Sequence, residues 1–234
     1  MPIHIQAKPD DIAPVVILPG DPDRARFIAD TYLDHPRCYN EYRQLLGYTG
    51  SYRGRPVSVQ TTGMGGPSAA IVVEEICRLG AQVLIRVGSC GAIDPELRLG
   101  DLVIPSGASS IDGTVRALTG FDGFAPTADH DLVQHLRRQA SAQGVRHGQG
   151  DLASMDLFYD KREGLLPRLT EFGVAALEME AAVVLTLARR EGRRGACITY
   201  VSDLLSDATR IDERGAEEAT GRMMDVVLAA LADI

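Results

Sequence analysis

The sequence predicts an α/β protein, a single domain over residues 1–234 with a central mixed β-sheet flanked by helices. Short β-branched runs recur between glycines and prolines, helical apolar stripes separate several of them, and 234 residues suit one α/β core. The strand runs are Val15 to Leu18, Val57 to Thr61, Val83 to Val87, Asp101 to Ile104 and Ala196 to Val201. A helix capped by Ser68 carries Ile71, Val72, Ile76 and Leu79 on one stripe and stops at Gly80. A second spans Met179 to Arg190, with Ala182, Val183 and Leu187 on its apolar face, two arginines in its last turn and Gly192 beyond it. A final amphipathic helix covers Glu213 to Leu231, and the Gly/Ser/Asp-rich stretch from Ser106 to Thr127 reads as surface loops and turns.

Composition bounds the function. With 45% apolar and 24% charged residues the chain has an ordinary soluble balance, and no apolar run approaches the roughly 20 residues that cross a bilayer. The start, MPIHIQAKPDD, lacks the pattern of a secretory signal, so a cytoplasmic location is the expectation. Cysteines 38, 77, 90 and 197 are scattered without metal-ligand spacing and read as free thiols. A formal charge of −8 argues against a nucleic-acid surface and for a small ligand. That ligand can still be an anion, because a few arginines in one pocket override the mean charge.

In an open α/β sheet ligands collect beyond the carboxyl ends of strands, and here those ends are polar. Leu18-Pro19-Gly20-Asp21-Pro22-Asp23-Arg24 is a glycine turn into a helix start, suited to an anion or to an ordinary turn with a surface arginine. Arg86 lies inside an otherwise apolar strand run followed by Gly88-Ser89-Cys90-Gly91. A guanidinium there needs a bound anion or an internal carboxylate, since an unpaired buried charge costs several kcal/mol. Gly63-Met64-Gly65-Gly66-Pro67-Ser68 allows close backbone approach to a ligand. Leu177-Glu178-Met179-Glu180 sets two carboxylates at a helix start, able to accept vicinal hydroxyls or to complement the helix dipole. Ser202-Asp203 ends an apolar strand, where an acid can donate a proton or cap a turn.

Taken in order, His4, PGDPDRAR, NEYRQLLGYTGSYRG, TTGMGGPSAA, RVGSCGAI with LGDLVIPSGA, DLFY, LEMEAA and YVSD resemble the nucleoside phosphorylase family of hexameric bacterial-type purine nucleoside phosphorylases and uridine phosphorylases. The resemblance covers almost the whole chain. It implies that fold, and a phosphate site of Gly20, Arg24, Arg86 and Ser89 completed by Arg43 of a neighbouring subunit. It implies that Glu180 takes the ribose 2′- and 3′-hydroxyls, that Met64 and Met179 pack on the sugar, and that a neighbour's His4 meets the 5′-hydroxyl. Phe158 and Glu178 would line the base end. Asp203, beside Ser202, would serve purine N7, helped by an arginine for which Arg214 is the nearest candidate and Arg210 the alternative. The resemblance further implies a pentosyltransferase of purine salvage acting on purine nucleosides, with phosphate as co-substrate and no cofactor or metal. It would work as a homohexamer, a trimer of dimers, without nucleic-acid or membrane partners.

Within the family, uridine phosphorylases typically carry a glutamine and arginine pair where this chain has DLFYDKREGLL, which offers no glutamine. His4 disfavours a methylthioadenosine phosphorylase, and the three phosphate arginines disfavour a hydrolytic nucleosidase. A catalytically silent module would be expected to lose Asp203, Glu180 or Arg86, and all are present. No GxGxxG follows the first strand, against a dinucleotide-binding dehydrogenase.

Overall fold

The computed structural model describes residues 2–111 and 113–233. In chain order it contains β1 (Val15–Pro19), α1 (Pro22–Tyr32), β2 (Asp34–Asn40), β3 (Gly47–Tyr52), β4 (Arg55–Gln60), α2 (Gly66–Arg78), β5 (Val83–Ala92), β6 (Leu102–Val103), β7 (Ala108–Ser110) and α3 (Thr114–Thr119). There follow α4 (His130–Ala142), β8 (His147–Gly148), β9 (Asp151–Ser154), α5 (Leu165–Glu171), β10 (Val174–Glu178), α6 (Ala181–Arg190), β11 (Arg194–Leu204), β12 (Thr209–Arg210) and α7 (Glu213–Ala230).

The strands form one mixed sheet with β5 at its centre. Over Val83 to Val87, β5 is held in parallel by β1 on one edge and by β11 on the other. The ladder to β11 continues as far as Ala92, but β1 stops at Pro19, opposite Val87. Antiparallel β10 takes over that edge only at Gly91 and Ala92. Gly88, Ser89 and Cys90 therefore have an open edge between two different neighbours.

Side chains along β5 alternate between layers, as the strand period requires. Val83, Ile85 and Val87 join a core cluster with residues of α1, α4 and α7, whereas Leu84 joins the cluster of α2 and α6. Arg86 shares the face of Leu84 and so points toward α6. That helix is buried on every side from Ala181 to Ala188, which fits its near-absence of polar residues.

Some boundaries differ from the sequence reading. The central strand runs on through Gly88 to Ala92, because pairing with β11 holds glycines that alone read as a loop. Ser68 is not the cap of α2: Gly65 holds that position, and the Ser68 hydroxyl donates to the Thr62 carbonyl (2.7 Å). The helix expected from Met179 starts at Ala181. The stretch from Ser106 to Thr127 contains β7 and α3 as well as loops. Asp112 within it, with Met1 and Ile234 of the domain, lies outside the described residues.

Candidate active site

A cavity of about 770 Å3 opens where β5 changes neighbours. Its lining includes Gly20, Arg24, Arg86 and Ser89, Met64, Met179 and Glu180, and Phe158, Ser202 and Asp203. Each strand end contributes because β1, β5, β10 and β11 all terminate or change partner here.

Arg86 is 3% exposed and is balanced from within the protein. Its Nε donates to Glu178 Oε2 (2.8 Å), and its Nη2 pairs with Glu180 Oε2. Its third nitrogen, Nη1, is buried without a partner among the described residues. Burial works to lower the Arg86 pKa, but the carboxylates of Glu180 and Glu178 outweigh it and hold the guanidinium charged. The internal carboxylate left open by the sequence is thus real, and one donor still remains for an anion.

Glu178 is the more heavily engaged carboxylate. Oε2 accepts the backbone N–H groups of Glu180 (2.9 Å) and Ala181 (2.8 Å) as well as Arg86, and Oε1 accepts from the Ser154 hydroxyl. The Ser154 oxygen in turn accepts the N–H of Ala182 (2.9 Å), so the first donors of α6 are satisfied by these two side chains. Glu180 occupies the N-cap position of α6, and its Oε1 accepts from Gly65 N. That contact requires the left-handed backbone of Gly65 (φ 86°). Burial, with the charge of Glu178 added, pushes the Glu180 carboxyl up from its usual value against the pull of Arg86.

Arg24 projects from the first turn of α1, donates to the Tyr200 hydroxyl (3.1 Å) and lies over that ring. Beside it Gly20 keeps two loops close, because a Cβ there would come within 3.3 Å of the Gly63 carbonyl. Asp203 Oδ2 lies 2.6 Å from the Ser202 hydroxyl, and Oδ1 lies 2.6 Å from Arg210 Nε. Cys90 also lines the cavity, but burial pushes its thiol up to about 12, which removes thiolate chemistry at neutral pH.

A family model described as the phosphorylase superfamily matches residues 14–232. The chain belongs to that superfamily. A purine nucleoside phosphorylase of the DeoD type from Roseobacter denitrificans is 41% identical over 231 residues, covering 98% of this chain and 99% of that protein. The corresponding Bacillus subtilis protein is 40% identical over 232 residues, 99% of this chain and 98% of its own. That of Brevibacillus brevis is 40% identical over 233 residues, 98% of each.

Of the residues singled out from sequence, this phosphorylase superfamily member gathers Gly20, Arg24, Met64, Arg86, Ser89, Phe158, Glu178, Met179, Glu180, Ser202 and Asp203 in one cavity. Arg214 is a correction. It lies on the outer face of α7 and pairs with Glu218 (3.0 Å), one turn on, while Arg210 is the arginine on Asp203. The reason is register: β11 and β12 form an antiparallel pair in which Asp203 and Arg210 are directly opposite. Glu178 also lines the cavity, with Oε2 engaged by Arg86 and the first N–H groups of α6 and Oε1 by the Ser154 hydroxyl.

Two candidates lie apart from the cavity of their own chain. His4 is tied through Nδ1 to Glu75 (2.9 Å), which also accepts N–H groups of Ile3, His4 and Ile5 and thereby clamps the amino-terminal segment to α2. Arg43 sits on an exposed turn, where Arg43 (φ 57°) and Gln44 (φ 59°) are both left-handed. Such backbone costs about 1–2 kcal/mol per non-glycine residue. Ser154 and Tyr200 were missed from sequence. Ser154 gives no local signal; Tyr200, a hydroxyl-bearing residue two positions before Ser202 in an apolar strand, does.

Among the described residues no helix is long and apolar enough to cross a membrane.

Proposed function

We infer that this protein is a purine nucleoside phosphorylase, cleaving purine ribo- and deoxyribonucleosides with inorganic phosphate to free base and pentose 1-phosphate. The observation that carries the reading is one cavity that holds both an arginine nitrogen without a partner among the described residues and a carboxyl held by an arginine and a serine, in a chain similar over its length to purine nucleoside phosphorylases. Phosphate is held by Arg24, Arg86, Ser89 and the backbone at Gly20, and the ribose hydroxyls by Glu180. Met64 and Met179 pack on the sugar, and Phe158 lies against the base.

A phosphate oxygen bonds to C1′ as the C1′–N9 bond breaks and its electron pair passes to the purine. Asp203 in its protonated form delivers a proton to N7, so that the base leaves neutral, and it is reprotonated through solvent, balanced by the proton that hydrogen phosphate loses on becoming the pentose 1-phosphate dianion. The sugar gains positive charge while the base gains negative charge, so phosphate below and the acid at N7 both act more strongly on the transition state than on the ground state. Arg210 and Ser202 fix the orientation of the Asp203 carboxyl. Phosphate is co-substrate, and neither a cofactor nor a metal takes part.

Arg43 and His4, absent from the cavity of their own chain, complete that of a neighbour in a homohexamer built as a trimer of dimers. The enzyme serves purine salvage in the cytoplasm, without nucleic-acid or membrane partners. Mixing inactive Arg43→Ala with inactive Asp203→Asn subunits after dissociation should restore activity; a fully active monomer in analytical ultracentrifugation refutes the shared site. The function is tested with adenosine, guanosine, inosine, uridine and methylthioadenosine, each with and without phosphate. Phosphate-dependent ribose 1-phosphate from purine nucleosides is expected; free ribose, or turnover of uridine alone, overturns the reading.

A further inference from the structure

Arg86 holds two carboxylates that differ in how freely they can let go. Glu178 cannot release it without also stripping the N–H groups of Glu180 and Ala181 and the Ser154 hydroxyl of their acceptor. Glu180 is held more lightly: each of its oxygens accepts one donor, Arg86 or Gly65 N, and each keeps a lone pair in a residue that lines the cavity. Arg86 therefore has a fixed partner on Nε and an exchangeable partner on Nη2, and Nη1 stands ready for an acceptor.

On the phosphorylase reading, on which this inference rests, Arg86 serves phosphate and Glu180 serves the ribose hydroxyls. Within the protein these two groups pair with each other. We propose that the Arg86–Glu180 pair couples the two substrate subsites, so that phosphate and nucleoside each bind more tightly when the other is present.

The cluster of Arg86, Glu178 and Glu180 carries one formal positive and two formal negative charges in a buried setting. A phosphate dianion entering alone meets that excess negative charge and, beyond the free Nη1, competes with Glu180 for Arg86. Two hydroxyl donors on Glu180 disperse its charge and weaken its hold on Arg86. The upward displacement of the Glu180 carboxyl by burial shows that this charge lacks solvation, which hydroxyl donors would supply. The first ligand loosens the pair unaided, and the second finds its group already released. The factor must be the same in both directions.

Inorganic phosphate is titrated calorimetrically into the protein alone and into protein saturated with a purine C-nucleoside, whose carbon–carbon glycosidic bond resists phosphorolysis. The nucleoside should tighten phosphate binding at least about tenfold, or about 1.4 kcal/mol, and phosphate should tighten the nucleoside by the same factor. A 2′,3′-dideoxy form of the same ligand, lacking the donors, should give less than about threefold in the unaltered protein. Glu180→Gln should flatten the coupling likewise and bind phosphate alone more tightly than wild type. Equal phosphate affinity with and without the C-nucleoside overturns the inference, as does undiminished coupling in Glu180→Gln or with the dideoxy ligand. Independent binding of both ligands leaves the phosphorylase reading standing, whereas failure of phosphate to bind under either condition sinks both.

Discussion

Replacing Arg210 by alanine should separate catalysis from stability. Its Nε lies 2.6 Å from Asp203 Oδ1, but the Arg210 side chain is 70% exposed, so water screens the pair and its contribution to folding stays below about 1 kcal/mol. For a chain of this size that shifts Tm by no more than about 2–4 °C. Catalysis should suffer more, because Asp203 acts only when its carboxyl is aimed at N7. A positioned general acid contributes about 10² to 10⁴ in rate. Losing one of its two orienting contacts while Ser202 remains should forfeit part of that, about 10- to 100-fold in kcat/KM, or about 1.4–2.7 kcal/mol of barrier. Arg214→Ala is the matched control: its guanidinium is 86% exposed and pairs only along its own helix. It should stay within about twofold of wild type, as expected of a solvent-screened helix pair. The assay is kcat/KM for inosine and adenosine, with thermal denaturation of each variant. In an Asp203→Asn background, removing Arg210 should cost little further, since both act through one carboxyl. An Arg214→Ala loss equal to or larger than that of Arg210→Ala refutes the assignment, and additive losses refute action through Asp203.

Arg24 and Arg86 should respond differently to truncation. Arg24→Ala should raise the apparent phosphate KM about tenfold with stability changed by less than about 1 kcal/mol, whereas Arg86→Ala strands buried Glu178 and Glu180 and should lose about 3–5 kcal/mol in urea denaturation. Asp203→Asn should damage phosphorolysis of adenosine and inosine by about 10² to 10⁴ and spare 7-methylguanosine, which already carries the positive charge; equal losses would make Asp203 a shaping residue. The Glu75 carboxyl is held below the usual glutamate range, because the His4 ring and three backbone N–H groups outweigh its desolvation. A carboxyl with a depressed folded pKa stabilises above its unfolded value, about 4.3, and loses that contribution as pH falls through the folded one. Wild type should therefore lose more stability than Glu75→Gln between pH 6 and pH 3, and parallel losses in thermal melts would show that the clamp does not titrate with folding.

Strands β1, β4, β5 and β11 were legible because buried strands of a parallel sheet read as short apolar runs, whatever their register. By contrast β2 was invisible: Asp34, His35, Pro36 and Arg37 are exposed on a strand at the edge of the sheet, and their composition is that of a loop. The site was legible as a set of polar residues at strand ends, since burying such groups demands a partner or a ligand. Their pairing was not. Arg86 and Glu178 are 92 positions apart, and nothing local in either segment says that they meet. That Arg210 rather than Arg214 touches Asp203 was hidden for a related reason: the resemblance points to the following helix, and a two-residue strand such as β12 leaves no periodic trace.

The direction of β10 explains why both glutamates reach one arginine. It enters antiparallel to β5, with Ala176 opposite Ala92 and Leu177 opposite Gly91, so each further residue moves the chain back along β5 toward Arg86. A parallel strand in the same place would carry Glu178 past Ala92 and away from the guanidinium. The reversal also has to occur where β1 has already ended, since two strands cannot hydrogen-bond one edge at the same height. Pro19 ends β1 opposite Val87, and the three residues of β5 left open are those between Val87 and the first bonds to β10. The gap in the sheet and the convergence of charge are thus one consequence of topology. A substitution that prolonged the β1 ladder past Val87 would close the edge beside Ser89 and deny a ligand its approach to Arg86, even with every polar side chain retained.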